Sequence, residues 1–347
     1  MRFKLIVASV LIIIAGYSYF WFHLAGQAKS TTLDWVENSE KRLGGAKIFV
    51  GDVKVSGFPY KIIIEVSSLN AVVPAGRVGV QPLSIDVPEI AVIFQPWDPK
   101  HAILVTKYFD VTQGPLDDPD LNVTFDDVKT SVILDPETMD LNNLSTVAEK
   151  ISWYHGVEAE PAEISVMEKA QIHLRRSTGQ PQALESYDLP VNRAVYFKAQ
   201  NVLIREFANS LLGEKADNFK IEAMLHANEQ PDYSVRGLSK WRDEGGTVSI
   251  SSFEYGTPQS NLSLSGDVTL DENLKPLGAF DAKVVGMGKM LEQLSKNMTL
   301  PETARLILKG QAQNDSLSGE VPLSISMQNG LLYLGPIQLM ELPAVVE

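Results

Sequence analysis

Two periods divide this chain. From Leu5 to Ala25 uncharged and mostly apolar residues follow one another without a break. From Ala46 onward apolar residues recur at every second position through most of the remaining length, the spacing of half-buried β-strands. The first run is about 21 residues, enough to cross a bilayer core as one helix. Arg2 and Lys4 precede it, while Lys29 stands among Asp34, Glu37 and Glu40 on its far side. This asymmetry predicts a cytoplasmic N-terminus and delivery of nearly the whole chain to the opposite face. Tyr17, Tyr19, Phe20, Trp21 and Phe22 crowd the exit end, where amphipathic rings settle at headgroup level. A cleaved signal peptide is the competing reading, since Gly26-Gln27-Ala28 has a small-x-small outline. The length of the apolar run exceeds a usual signal core and favours the anchor.

After the exit, Ser30 or Thr31 is placed to cap a helix through Trp35 and Val36 to Leu43, with Gly44-Gly45 as its stop. The alternating part opens with Val53 and Val55, then Ile62, Ile64 and Val66, around the bend Gly57-Phe58-Pro59-Tyr60; Pro59 cannot donate to a ladder and marks a bend or an edge. Further strands are predicted at Ile90 to Phe94, Ala102 to Val105, Val123 to Phe125 and Val132 to Leu134. Val147, Ile151 and Trp153, and then Ala170, Ile172 and Leu174, recur in twos rather than threes and fours, so they too read as strands. A helix is predicted over Arg205 to Leu212, ending at Gly213, before Phe219, Ile221, Ala223 and Leu225 resume the alternation. Val248 and Ile250, Leu262 and Leu264, and Val268 and Leu270 continue it to a polar turn at Asp271-Glu272-Asn273. A strand from Ala279 to Val285, a helix from about Lys289 to Lys296 and another from Pro301 follow. Leu323 to Met327 and Leu331 to Leu334 flank Asn329-Gly330, the strongest short hairpin signal in the chain.

The fold class this predicts is mainly β with some α: an N-terminal transmembrane helix followed by a long curved antiparallel sheet with a few packed helices. Residues 1–4 form a cytoplasmic leader, 5–25 the signal anchor, 26–45 a helical stalk and 46–347 an exported β-rich domain. At 347 residues and 44% apolar content the chain is globular rather than disordered. Asp and Glu number 43 against 30 Lys and Arg, so it gains little from phosphate neutralisation and nucleic acid is not an expected partner. The sequence holds no cysteine, which excludes disulfides, thiolate nucleophiles and zinc ribbons.

Local chemistry is sparse. Asp118, Asp120 and Asn122 occupy the first acidic positions of a calcium loop, but Val123 stands where the loop needs glycine and Lys129 where it needs a bidentate Glu. Gly286-Met287-Gly288 lacks the third glycine of a dinucleotide loop and reads as a turn leading into a helix. The five histidines are scattered, a pattern that fits surface positions on strands, and no nucleophile elbow, phosphate loop or helical zinc motif occurs. No cofactor, metal or catalytic residue is therefore expected. An enzyme whose site is dispersed over distant strands stays open as an alternative.

Ser56-Gly57-Phe58-Pro59-Tyr60, the run from Leu264 to Leu294, and Gly330 to Leu342, reading GLLYLGPIQLMEL, occur in an order that resembles the bacterial domain of unknown function family DUF2125. The resemblance implies an N-terminal membrane anchor with an exported domain, here on the bacterial inner membrane with the bulk of the chain in the periplasm. It implies no particular activity. Leu264 to Leu294 is also similar in outline to the repeating hairpins of AsmA-like envelope proteins, which have one N-terminal anchor and are implicated in lipid handling. Two candidate surfaces follow. The face carrying Ile62, Ile64, Leu262, Leu264, Val268, Leu270, Phe280 and Ala282 is either a lipid groove or ordinary core. Gly57, Phe58, Pro59 and Tyr60 are either a docking turn or a kinked strand with its rings packed inward. The expected partners are the membrane, phospholipid and envelope proteins, and the rival to a lipid-handling module is a protein-docking scaffold.

Overall fold

The structure is a computed structural model that describes residues 2–75, 81–176, 189–208, 212–232, 234–295, 302, 305–306, 309–310 and 320–346. Helix α1 spans Arg2–Glu37 and α2 Ser39–Arg42. The predicted cap at Ser30 or Thr31 does not form, because no proline or left-handed residue interrupts the chain there. The Ser30 hydroxyl instead donates back to the Gln27 carbonyl at 3.0 Å and Thr32 to Ala28 at 2.9 Å, the in-helix alternative to capping. The expected anchor and the residues after it up to Glu37 form one helix. Gly44 and Gly45, at φ +63° and +104°, supply the expected stop.

Chain contacts divide the protein into two compact units, Met1–Ile164 and Ser165–Glu347. In the first, β1 (Lys47–Phe49) and β2 (Val53–Ser56) both pair with β3 (Ile62–Val73). Then β4 (Leu83–Gln95), β5 (Asp98–Gln113), β6 (Leu121–Leu134) and β7 (Leu141–Tyr154) follow, each antiparallel to the strand before it. The second unit runs β8 (Ser165–Arg176), β9 (Val191–Leu203), β10 (Lys215–His226), β11 (Thr247–Thr257), β12 (Ser260–Leu270), β13 (Pro276–Val285), β14 (Glu320–Gln328), β15 (Leu331–Leu334) and β16 (Ile337–Glu341), again in chain order and antiparallel. Helix α3 (Val235–Asp243) lies between β10 and β11, and α4 (Met287–Ser295) after β13. The strand class inferred from period two is borne out, including β7 and β8. At the β14–β15 turn Asn329 and Gly330 both have positive φ, +55° and +70°, as a type I′ hairpin requires.

Two expectations need correction. Arg205 to Leu212 is not an α-helix: a single 3-10 turn covers Arg205–Phe207, and 209–211 lie outside the described residues. The helix expected from Pro301 likewise falls mostly outside them. Val123 to Phe125 and Val132 to Leu134 are one strand, β6. Its apolar positions change phase at Asp127, whose φ is +47°, and the sequence pattern reads that phase change as a gap between strands. Asp tolerates the left-handed region better than most residues, and one such residue moves the alternation by one position.

The phase change recurs along one line of the first unit. In β3 it falls at Ser68, φ +52°, so that Ile62, Ile64 and Val66 before it and Leu69 after it share one hydrophobic cluster. Ladder pairing between β4 and β5 lapses from Val87 to Ile90 and resumes in the same register. The Thr106 hydroxyl sits 2.8 Å from the Glu89 carbonyl and 2.9 Å from that of Tyr108, bridging both where the ladder lapses. Val87, Thr106, Val128 and Ala148 are buried along this crease. The second unit repeats the device at Lys169 and Asn201, φ +49° and +46°, and Asn201 Nδ2 donates to Glu168 Oε2 at 2.7 Å.

Candidate functional site

The exit end of α1 does not project freely. Tyr17 donates its hydroxyl to the Pro59 carbonyl at 2.5 Å, and Trp21 donates Nε1–H to the Lys61 carbonyl at 3.2 Å. Phe58 stands edge-on to Trp21 with centroids 5.4 Å apart and stacks on Phe22 at 5.5 Å. The turn closes on itself through Lys61 N–H to the Gly57 carbonyl at 3.1 Å, and Gly57 takes φ +104°. Its four residues therefore divide: Gly57 and Pro59 are partly buried and shape the bend, Phe58 packs on the helix yet stays 47% exposed, and Tyr60 is 75% exposed. Below the turn Trp21 and Ala25 are buried against Val53, Ile62, Ile64 and Val66, with Leu24, Ala28, Ile90, Val92 and Phe94 around them. The sequence marks Tyr17 and Trp21 as headgroup anchors; that they also hold the turn leaves no local signal, since their acceptors are backbone carbonyls some 40 residues away.

The eight apolar residues predicted to share a face are not gathered into one cluster. Ile62 and Ile64 belong to the first unit, under α1. Leu262 and Ala282 lie under Met287, Met290 and Leu291 of α4, with Leu264 alongside. Leu270 is covered by Leu238 and Trp241 of α3. Phe280 is buried at 5% exposure, and Val268 is half-buried. Helix α3 was missed in the sequence, although Ser234, whose side chain accepts from Gly237 N–H at 3.0 Å, and the i, i+3 pair Leu238 and Trp241 mark it.

Other apolar side chains of the alternating strands stay half-exposed. Phe109 and Phe125, opposite each other on β5 and β6, stack with centroids 4.4 Å apart and planes within 7°. The register carries their row on to Ile151 of β7, and the next row joins Ile85, Val111, Val123 and Trp153. All are partly accessible. Two open hollows lie among the described residues, roughly 290 Å³ beside Tyr60, Lys61, Asp98 and His101 and roughly 270 Å³ beside His173, Arg175, Tyr196 and Glu222. Both fall at or below the lower end of ordinary ligand pockets. Among the described residues no group of three His, Asp or Glu side chains could hold a metal ion.

One histidine departs from the surface positions expected of all five. His226 is 2% exposed, with Nε2 2.9 Å from Ser249 Oγ and Nδ1 3.2 Å from the Leu189 carbonyl, while its own carbonyl accepts Trp241 Nε1–H at 2.9 Å. Its place is structural, tying β10 and β11 to α3. Residues 21–343 match the family model described as "Uncharacterized protein conserved in bacteria (DUF2125)". The chain belongs to this family. The DUF2125 match begins at Trp21, so it takes in the Trp21–Lys61 contact but not Tyr17, and it covers every strand named above. No curated protein matches the sequence.

Proposed function

We propose that this DUF2125 protein is a single-pass inner-membrane protein, N-terminus cytoplasmic and bulk periplasmic, whose apolar sheet face receives acyl chains. The observation that carries the reading is continuity. One helix is long and apolar enough to cross a membrane, and its exit end packs into the same cluster as Ile62, Ile64, Val92 and Phe94. From there the phase change at Ser68 and Asp127 keeps apolar side chains on one side of the crease, down to the half-exposed Phe109, Phe125 and Trp153. An acyl chain leaving the bilayer along α1 meets apolar surface throughout, each methylene it buries contributing about 0.8 kcal/mol. No step of this reading needs catalysis. The covering of Leu262, Ala282 and Leu270 by helices favours the second reading, a docking scaffold with an ordinary core.

Two experiments test these readings. Reporter fusions at Glu347 are expected to be active only outside the cytoplasm, as the charges around Leu5 to Ala25 require; a cytoplasmic signal overturns the address, and a mature chain starting near Lys29 replaces the anchor with a cleaved signal. The full chain extracted in mild detergent is expected to carry phospholipid detectable by mass spectrometry. Phe125→Asp and Leu104→Asp, the latter on β5 opposite Val92, should lose it while keeping the strand-dominated dichroism spectrum. Lipid content equal in wild type and variants, or lipid-free protein, removes acyl handling and leaves the scaffold.

A further inference from the structure

The heights of the contacts along α1 place the sheet. From Leu5 to Tyr17 an α-helix rises about 18 Å at 1.5 Å per residue. The hydrocarbon core of a bilayer is about 30 Å thick. If Leu5 lies at the near boundary, Tyr17 is about 12 Å short of the far one, and Trp21 about 6 Å short. Yet Tyr17 is already bonded to Pro59 and Trp21 to Lys61. Tilting the helix reduces its rise along the normal and sets these residues deeper still.

We infer that the Phe58-Pro59-Tyr60 turn, together with the Trp97 hairpin beside it, enters the leaflet on the sheet's side of the membrane, a second attachment besides the anchor. This rests on the spanning anchor proposed above. Four further observations support it. Irregular backbone survives away from water only where its polar groups are satisfied by protein, and here the carbonyls of Gly57, Pro59 and Lys61 accept from Lys61 N–H, Tyr17 and Trp21. Ile62, just past the turn, pairs with Phe94, and Gln95 pairs with Asp98 across the β4–β5 turn; Trp97, 62% exposed, therefore extends from the same end of the sheet as Tyr60. Phe58, Tyr60 and Trp97 are the ring types that settle between acyl chains and headgroups. Lys61 is exposed beside them and reaches the phosphate level by extending its stem. The β6–β7 turn at this end differs: Asp135, Glu137 and Asp140 make it acidic, and it bounds the inserted region.

The absence of native cysteine permits single labels. Tyr60→Cys, Trp97→Cys, Met139→Cys and Ile12→Cys would each carry an environment-sensitive fluorophore on the full chain, reconstituted in phosphatidylethanolamine and phosphatidylglycerol vesicles. Met139 is 54% exposed on the acidic turn, and Ile12 lies within the apolar run. Labels at 60 and 97 should show several-fold weaker quenching by iodide, present on both sides of the bilayer, than the label at 139. They should also respond to lipid-borne nitroxide quenchers as the label at 12 does. Shielding at 12 with full iodide access at 60 and 97 overturns leaflet insertion and leaves the anchor standing. Iodide access at 12 overturns the anchor, and leaflet insertion with it.

Discussion

Tyr255→Ala is expected to destabilise the Ser165–Glu347 unit by about 3–5 kcal/mol, the range for truncating a fully buried aromatic side chain. Tyr255 is 0% exposed. Its ring meets Phe207 at 5.7 Å and Phe219 at 5.6 Å, both near edge-on, and its hydroxyl donates to the Gly213 carbonyl at 2.9 Å. Removing the ring leaves a cavity beside Phe207 and Phe219, over strands β10 and β11 whose backbones are fixed by their ladder, so the site closes poorly. Tyr255→Phe keeps the volume and loses the hydrogen bond, at about 1 kcal/mol. Burial, and then the Glu214 carboxylate, push the phenol up to about 12, against about 10 in an unfolded chain. The unfolded state thus releases this proton first, so the contribution is fully present below about pH 10 and is lost as pH rises through the folded value. Lys220, raised chiefly by its hydrogen bond to Glu222 and also by Glu254, loses its contribution in the same direction. Denaturant unfolding at neutral pH and again between pH 10 and 12 checks both points. Equal alkaline loss in wild type and Tyr255→Phe would remove the phenol from the account.

Gly57→Val is expected to cost about 1–3 kcal/mol in backbone strain and to release the turn from α1. A Cβ at Gly57 would meet the Lys61 carbonyl oxygen at 2.6 Å and Ile63 Cγ1 at 3.1 Å, and φ +104° is closed to a β-branched residue. The Lys61 carbonyl is the one Trp21 holds, so the strain falls on the contact that joins helix and sheet. A double-mutant cycle with Trp21→Phe, which removes that donor but keeps a ring, reads this directly. The two losses should be non-additive by about 0.5 kcal/mol or more. Additive losses would mean that the turn and the helix are held independently.

Strands were legible wherever alternation ran unbroken and a turn residue closed it. Asn329-Gly330 and the flanks of Gly57-Phe58-Pro59-Tyr60 are the clearest cases, because φ preferences are local. The crease was not legible. A left-handed Asp127 or Ser68 imitates the end of a strand in any pattern of period two, and only the neighbouring strand's register shows that pairing resumes. The helix runs unbroken through Ser30 and Thr31 for a related reason: a hydroxyl that could cap can equally bond back one turn, and no proline or left-handed residue there forces a break. The candidate apolar face could be found residue by residue but not assembled. Alternation marks which side chains turn inward, whereas the helix that covers each of them is set by contacts distant in sequence.

Within each unit nearly every strand pairs with the one made just before it, the exception being β1 and β2, which both lie along β3. A chain synthesised N-terminus first, at about 5–20 residues per second, therefore never has to hold a strand in reserve for a distant partner. A hairpin closes in about 1–10 μs, so each new strand docks on a finished edge long before the next one arrives. The growing edge is always the newest strand, and the exposed surface at any moment is one ladder wide. Strands paired with their chain neighbours can thus be laid down in the order of synthesis, whereas scrambled pairings would be slow and prone to self-association.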